Sequence, residues 1–141
     1  MQTDLVKVCR VFNEYGVNYL IIGAHAAALH GHVRATEDID ILVEDEDENL
    51  NKVIQCIRKL YPHIEDEISI TDFRENVVLK IADYPELDIS IRAWNLGFDH
   101  CQQNHLQTII NGTKVPFLSL PDLIEQEYST RNRPMGCKST Y

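Results

Sequence analysis

The stretch "RATEDIDILV", residues 34–43, decides the fold. Ile39, Ile41 and Val43 alternate with their neighbours, as residues on the buried face of a β-strand do. Asp38 and Asp40 therefore share the opposite face of the same strand. Five further acids follow directly in "EDEDE", residues 44–48. Something must neutralise so much negative charge at one strand.

Working outward, the upstream segment "YLIIGAHAAALHG" is a short apolar run that ends in Gly23 and passes into an Ala-rich helix with Gly31 as its stop. Before it, residues 3–15 form an amphipathic helix, with Leu5, Val8, Phe12 and Tyr15 on one face and Gly16 as the stop. Downstream, residues 47–60 give the clearest helix of the chain. Leu50, Val53, Ile54, Ile57 and Leu60 make one stripe, acids lead in, and Arg58 and Lys59 close it before Pro62. That placement offers a plain reading of "EDEDE" as a solvated helix start favoured by the macrodipole. Three strand candidates follow, "EISI" (67–70), "NVVLKIA" (76–82) and "LDISIR" (87–92), the last two joined by a tight turn at "DYPE". A second hairpin, "LQTIINGTKVPFLS", turns at Asn111-Gly112, and "LPDLIEQEYS" closes as a helix. The expected class is α/β or α+β, a twisted mixed sheet flanked by helices, in one domain over residues 1–130 with a short basic tail over 131–141.

At 141 residues and a formal charge of −9, from 22 acids against 13 Lys and Arg, the chain lacks the dense basic surface that duplex DNA requires. The charge is uneven: Glu37 to Glu48 hold eight acids and no base, whereas the tail carries Arg131, Arg133 and Lys138 without an acid. No apolar run reaches the roughly 18 residues of a membrane span, and the first residues lack a signal-peptide core, so a cytoplasmic protein is expected. Cys9, Cys56, Cys101 and Cys137 are widely spaced, which argues for reduced thiols over a zinc site or a disulfide framework.

In "LDISIR", Leu87, Ile89 and Ile91 face one way and Asp88, Ser90 and Arg92 the other. If this strand lies near "DIDILV", Asp38, Asp40 and Asp88 converge. Three carboxylates at such range must bind a proton or a cation. All-oxygen clusters suit hard divalent ions, Mg²⁺ above all where phosphates complete the shell. A D-x-D on an edge strand also serves merely to keep that edge soluble. The Gly23 turn weighs against that alternative, because backbone N–H groups at a helix start attract anions and a glycine admits a phosphate closely.

This ordered pattern, "IIGAHAAALHGHVRATEDIDILV" followed by "ELDISI", resembles the DNA polymerase β-like nucleotidyltransferases. It is most similar to the small bacterial and archaeal members, which include antibiotic-modifying and toxin-type proteins. The later "INGTKVPFLSLPDLIEQ" also resembles that group's hairpin and helix. The resemblance implies the nucleotidyltransferase fold and transfer of a nucleoside monophosphate from an NTP to a hydroxyl, with release of pyrophosphate. It implies that Asp38, Asp40 and Asp88 ligate Mg²⁺ or Mn²⁺ in a two-metal mechanism and that Asp88 helps to deprotonate the acceptor. It further implies that Gly23 and the start of its helix, Ala24 included, cradle the β- and γ-phosphates. Where the group usually has Gly or Ser, Ala24 offers only its backbone N–H, and the tail after "RNRP" is short for the group.

Other nucleotide-site candidates are His25, Arg34 and Thr36 just ahead of D-x-D, and Lys80, read either as an ion-pair partner of Asp88 or as a triphosphate ligand. His30 is a weaker candidate beside the nucleotide. A histidine metal site from His25, His30 and His32 is disfavoured by their spacing. Trp94 and Phe98 line either an acceptor pocket or the core. The acceptor is left open among a small molecule, a protein side chain and an RNA end, a homo-oligomer is compatible, and no membrane partner is expected. The competing expectation is a catalytically degenerate nucleotide- or partner-binding module of the same fold.

Overall fold

The computed structural model describes residues 2–33, 38–93, 95–131 and 138–139. Helix α1 (Gln2–Glu14) buries Leu5, Val8, Cys9 and Phe12 along one side. It leads into β1 (Tyr19–Ile22), which is buried throughout and runs directly into the short helix α2 (Gly23–Leu29). Strand β2 (Asp38–Val43) precedes α3 (Asp47–Leu60), whose buried side is Leu50, Val53, Ile54, Cys56 and Ile57. The α3 boundaries match the sequence reading because acids, apolar stripe and closing bases all agree.

Buried Asn49 ties the start of α3 to the entry of β1. Its Oδ1 accepts from Asn18 N at 2.7 Å, and its Nδ2 donates to the carbonyls of Asn18 and Glu44. The acidic run is only partly a solvated face: Arg74 donates to Asp45 at 2.8 Å and to Asp47 at 2.7 Å.

The expected strand "EISI" is not one. Ile68 is buried, but Ser69 and Asp72 close a capping box that starts helix α4 (Ile70–Glu75). The reciprocal side-chain and backbone bonds of that box outweigh the two-residue alternation of Ile68 and Ile70. The next strand is shorter than expected, β3 (Leu79–Ile81), and pairs antiparallel with β4 (Glu86–Ser90). Strand β4 stops short of the expected Arg92. Arg92–Ala93 (β5) instead pairs with Leu96–Gly97 (β6) in a separate two-stranded ribbon, which takes Arg92 away from the face shared by Asp88. Helix α5 (Phe98–Gln102) follows, and Phe98 belongs to the core; Trp94 lies outside the described residues.

The hairpin of β7 (Leu106–Ile110) and β8 (Thr113–Phe117) forms as expected. Asn111 and Gly112 both take positive φ, 51° and 76°, which a two-residue turn matched to the strand twist demands. Helix α6 (Leu120–Arg131) comes next, and Lys138–Ser139 (β9) lies beside β3.

The main sheet has seven strands in the order β7-β8-β1-β2-β4-β3-β9. Strand β2 pairs antiparallel with β1 and parallel with β4, so the sheet is mixed about its centre. Register sorts the side chains into two faces. Ile39 and Ile41 oppose Leu87 and Ile89, which oppose Ile81 and Leu79, and all six are buried. Helices pack against the sheet around this apolar set, α1 against β8 and α3 against α1. The other face carries the acids.

Candidate functional site

Parallel pairing of β2 with β4 sets Asp38 opposite Glu86 and Asp40 opposite Asp88. The antiparallel partner β3 sets Lys80 opposite Asp88. Four carboxylates and one ammonium thus share one side of three adjacent strands, by the same two-residue period that buries their neighbours. The convergence of Asp38, Asp40 and Asp88 expected from the sequence is present. Glu86 was not expected there. The signal was nonetheless available, since "ELD" on β4 repeats the acid spacing of "DID" on β2.

The carboxyls differ in their proton affinity. Asp40 is pushed well above the usual carboxylate range, chiefly by burial and then by the charge of Asp88 and the hydrogen bond between them. Asp38 moves the other way: a hydrogen bond from Glu86 lowers it first, burial opposes this, and the Lys80 charge adds to the lowering. Lys80 Nζ lies 3.1 Å from Asp88 Oδ1 and 3.3 Å from Asp38 Oδ2. Burial alone would weaken its ammonium, but hydrogen bonds to both acids and their charges raise its pKa. Of the two readings of Lys80, the structure contains the ion pair. Among the described residues, no three His, Cys, Asp or Glu side chains stand in a metal-holding arrangement. Lys80 lies between Asp38 and Asp88, and Asp40 is hydrogen-bonded to Asp88.

The β1–α2 turn sits against this cluster. Ile22, the last residue of β1, opposes Asp40, and Gly23 follows it with φ +67°. A Cβ at Gly23 would overlap Asp40 Oδ2 and lie 2.9 Å from Asp40 Cγ, so the carboxyl packs on the bare Cα. Only glycine allows both the positive φ and this approach. The Gly23 N–H donates to Gln126 Oε1 at 3.2 Å, which brings α6 to the same turn. Gln126 was missed in the sequence, where nothing in "IEQEY" marks it out. Contact across a span of 103 residues has no local signature.

The remaining candidates divide. Ala24 is half-buried at the start of α2. His25 is 5% exposed, and its Nε2 has no hydrogen-bond partner. Burial lowers its pKa, while the negative charges of Asp38 and Asp4 oppose that shift. His30 serves structure: its Nε2 meets the Leu118 carbonyl at 2.8 Å and its ring stacks edge-on against Phe117. Arg34 and Thr36 lie outside the described residues, as do Arg133 and Cys137. Cys9, Cys56 and Cys101 are buried free thiols, in line with the expectation of reduced cysteines. No described helix is long and apolar enough to cross a membrane.

No protein-family model and no curated protein matches the sequence. Solved structures do match in three dimensions. One is a candidate nucleotidyltransferase from Thermotoga maritima, with a TM-score of 0.60 and 18% identity over 92% of this chain and 84% of that one. Another is an antigenic nucleotidyltransferase-like protein from Paracoccidioides brasiliensis, with a TM-score of 0.62 and 15% identity over 97% of this chain and 68% of that one. At these identities the likeness is one of fold: the mixed sheet flanked by helices is that of nucleotidyltransferase-like proteins.

Proposed function

We propose that this protein is a nucleotidyltransferase that moves a nucleoside monophosphate from an NTP to a hydroxyl acceptor and releases pyrophosphate. The observation that carries the reading is the pair of in-register carboxylate rungs, Asp38–Glu86 and Asp40–Asp88, set beside the glycine turn at Gly23. Within this fold, that juxtaposition brings an acid cluster and a backbone able to approach phosphate to one place.

The donor set fits a hard divalent ion in chemistry: all donors are oxygens of four carboxylates, two of which meet the Lys80 ammonium. Asp38, Asp40 and Asp88 are the residues that would hold Mg²⁺ or Mn²⁺, which supplies charge neutralisation at the triphosphate and activation of the hydroxyl. In the transfer, the acceptor oxygen forms a bond to the α-phosphorus as the bond to the pyrophosphate oxygen breaks, and Asp88 takes the hydroxyl proton. Asp88 suits that role by position, in register with Asp40 and hydrogen-bonded to it. The Gly23 N–H and the start of α2 receive the β- and γ-phosphates, for which Gln126 releases Gly23. Ala24 contributes a backbone N–H without a hydroxyl. His25, on the same turn of α2, keeps its buried, unpartnered Nε2 within electrostatic reach of Asp38 and is retained as a nucleotide-site candidate.

Thermal stability against each NTP, with and without Mg²⁺, tests this reading in the wild type and in Asp40→Ala. A ligand at 100 times its Kd adds about 2.7 kcal/mol to folding stability. A Mg²⁺-dependent shift in the wild type, lost in the variant, is expected, followed by pyrophosphate release once an acceptor is supplied. Binding without turnover for any acceptor would favour the degenerate module, and the absence of any shift would refute the nucleotide site.

A further inference from the structure

We propose that Lys80 is the resident counter-ion of the acid cluster and that a divalent cation enters by displacing it. The inference rests on the metal-binding part of the function proposed above.

Lys80 reaches the cluster from β3, the strand on the far side of β4, and its Nζ bridges Asp88 Oδ1 at 3.1 Å and Asp38 Oδ2 at 3.3 Å. A cation shared by these two acids would be held by the oxygens that already hold the ammonium. The two cannot coexist between them: beyond the lost ligands, a divalent ion about 4 Å from an ammonium is disfavoured by roughly ten-fold or more in binding, even when screened nearly as in water. Register explains why the ammonium is placed there. Lys80 opposes Asp88 across an antiparallel pair, while Leu79 and Ile81 on either side fix the strand by burial in the core. The backbone position is thus rigid, and the head group is not. The Lys80 side chain is 25% exposed, so its stem leads toward solvent and the charged end can withdraw there without disturbing the sheet. Lys80 thereby holds the like-charged strands β2 and β4 together in the metal-free protein, and its departure couples metal entry to exposure of a cation at the site's edge.

The experiment measures Mn²⁺ binding by electron paramagnetic resonance to folded wild type, Lys80→Met and Asp40→Ala. Binding about ten-fold or more tighter in Lys80→Met, and lost in Asp40→Ala, is the expected result. Equal or weaker binding in Lys80→Met, with Asp40-dependent binding intact in the wild type, overturns the displacement and leaves the metal site standing. No Asp40-dependent Mn²⁺ binding in either protein overturns the metal site and the displacement with it. Should Lys80→Met fail to fold, the wild type decides alone. Labelling of Lys80 by an amine-reactive reagent, read by peptide mass spectrometry, must then increase when Mg²⁺ is added, and must not increase in Asp40→Ala. Unchanged wild-type labelling with Mn²⁺ bound overturns the proposal.

Discussion

Gly23→Ala tests the contact on which the site's geometry depends. Two separate costs add. The first is conformational: at φ +67° an alanine pays about 1–2 kcal/mol for a backbone region that its Cβ disfavours. The second is steric, since the new Cβ would overlap Asp40 Oδ2 and lie 2.9 Å from Cγ and 3.0 Å from Cβ. Relieving that overlap means turning the Asp40 carboxyl out of its hydrogen bond with Asp88 or shifting β2, an overpacking cost of about 1–3 kcal/mol. The sum is about 2–5 kcal/mol, a large share of the 5–15 kcal/mol that holds a typical domain together. Gly31→Ala is the control, because Gly31 also has a positive φ, of +95°, but a Cβ there meets nothing within 4 Å. Urea unfolding of both variants separates the two costs, Gly31→Ala reporting the first alone. Adding Asp40→Ala to each gives a double-mutant cycle in which only the Gly23 pair couples. If the Gly23–Asp40 cycle shows no coupling, the carboxyl does not pack on the glycine and the reasoning fails.

The two acids of "DID" should respond oppositely to amide substitution in the absence of metal. Asp40→Asn supplies a hydrogen-bond donor toward Asp88 and cannot take on the charge that burial disfavours, so chemical denaturation at neutral pH should find it at least as stable as wild type. Asp38→Asn deprives Lys80 of one partner and should lose about 0.5–1 kcal/mol, the range of a partly exposed ion pair. Gln126→Ala releases the Gly23 N–H, and should enlarge the Mg²⁺–NTP thermal shift at a cost of about 0.5–1.5 kcal/mol in unliganded stability. Burial pushes Cys9 up to about 11 and Cys56 and Cys101 up to about 12, so a thiol reagent at pH 8 should find at most one of the four cysteines reactive until the chain unfolds. Between pH 9 and 11 the unfolded chain releases these protons and the folded one retains them. Stability should therefore fall by about 1.4 kcal/mol per pH unit for each thiol, visible as a steep alkaline loss of melting temperature.

Much of this fold was legible because local signals agreed with tertiary demand. The helix at 47–60 has its acids, stripe and bases in order, and the Asn111-Gly112 turn needs a backbone that few other residue pairs adopt. The failures fall where a local cue was ambiguous between periods. "EISI" alternates over four residues, too few to outweigh a capping box that begins inside it. "LDISIR" alternates to its end, yet β4 stops at Ser90 because Arg92 and Ala93 pair with Leu96 and Gly97, a partner chosen by a nearby turn. The acids of the site could be read from two-residue spacing alone. Gln126 could not, for its contact depends on how α6 returns across the sheet.

Glu86 is the more instructive omission. A reading that seeks one acid on the second strand stops at Asp88, as the resemblance suggests. Parallel strands in register impose a stronger condition: if "DID" on β2 faces "ELD" on β4, every acid on one strand meets an acid on the other. Each rung must then share a proton or recruit a cation; a hydrogen bond joins the two carboxyls of each rung, and Lys80 reaches across them. The opposite proton affinities of Asp38 and Asp40 follow from this arrangement and not from either residue's local sequence. One acid sits at the strand end beside Glu86 and Lys80, the other lies deeper against Gly23. The charge of Asp38 and Asp40 is thus held largely by pairing with neighbouring strands. On the proposed function, a cluster held in that way exchanges its internal partners for a metal and a triphosphate while the sheet that carries it stays folded.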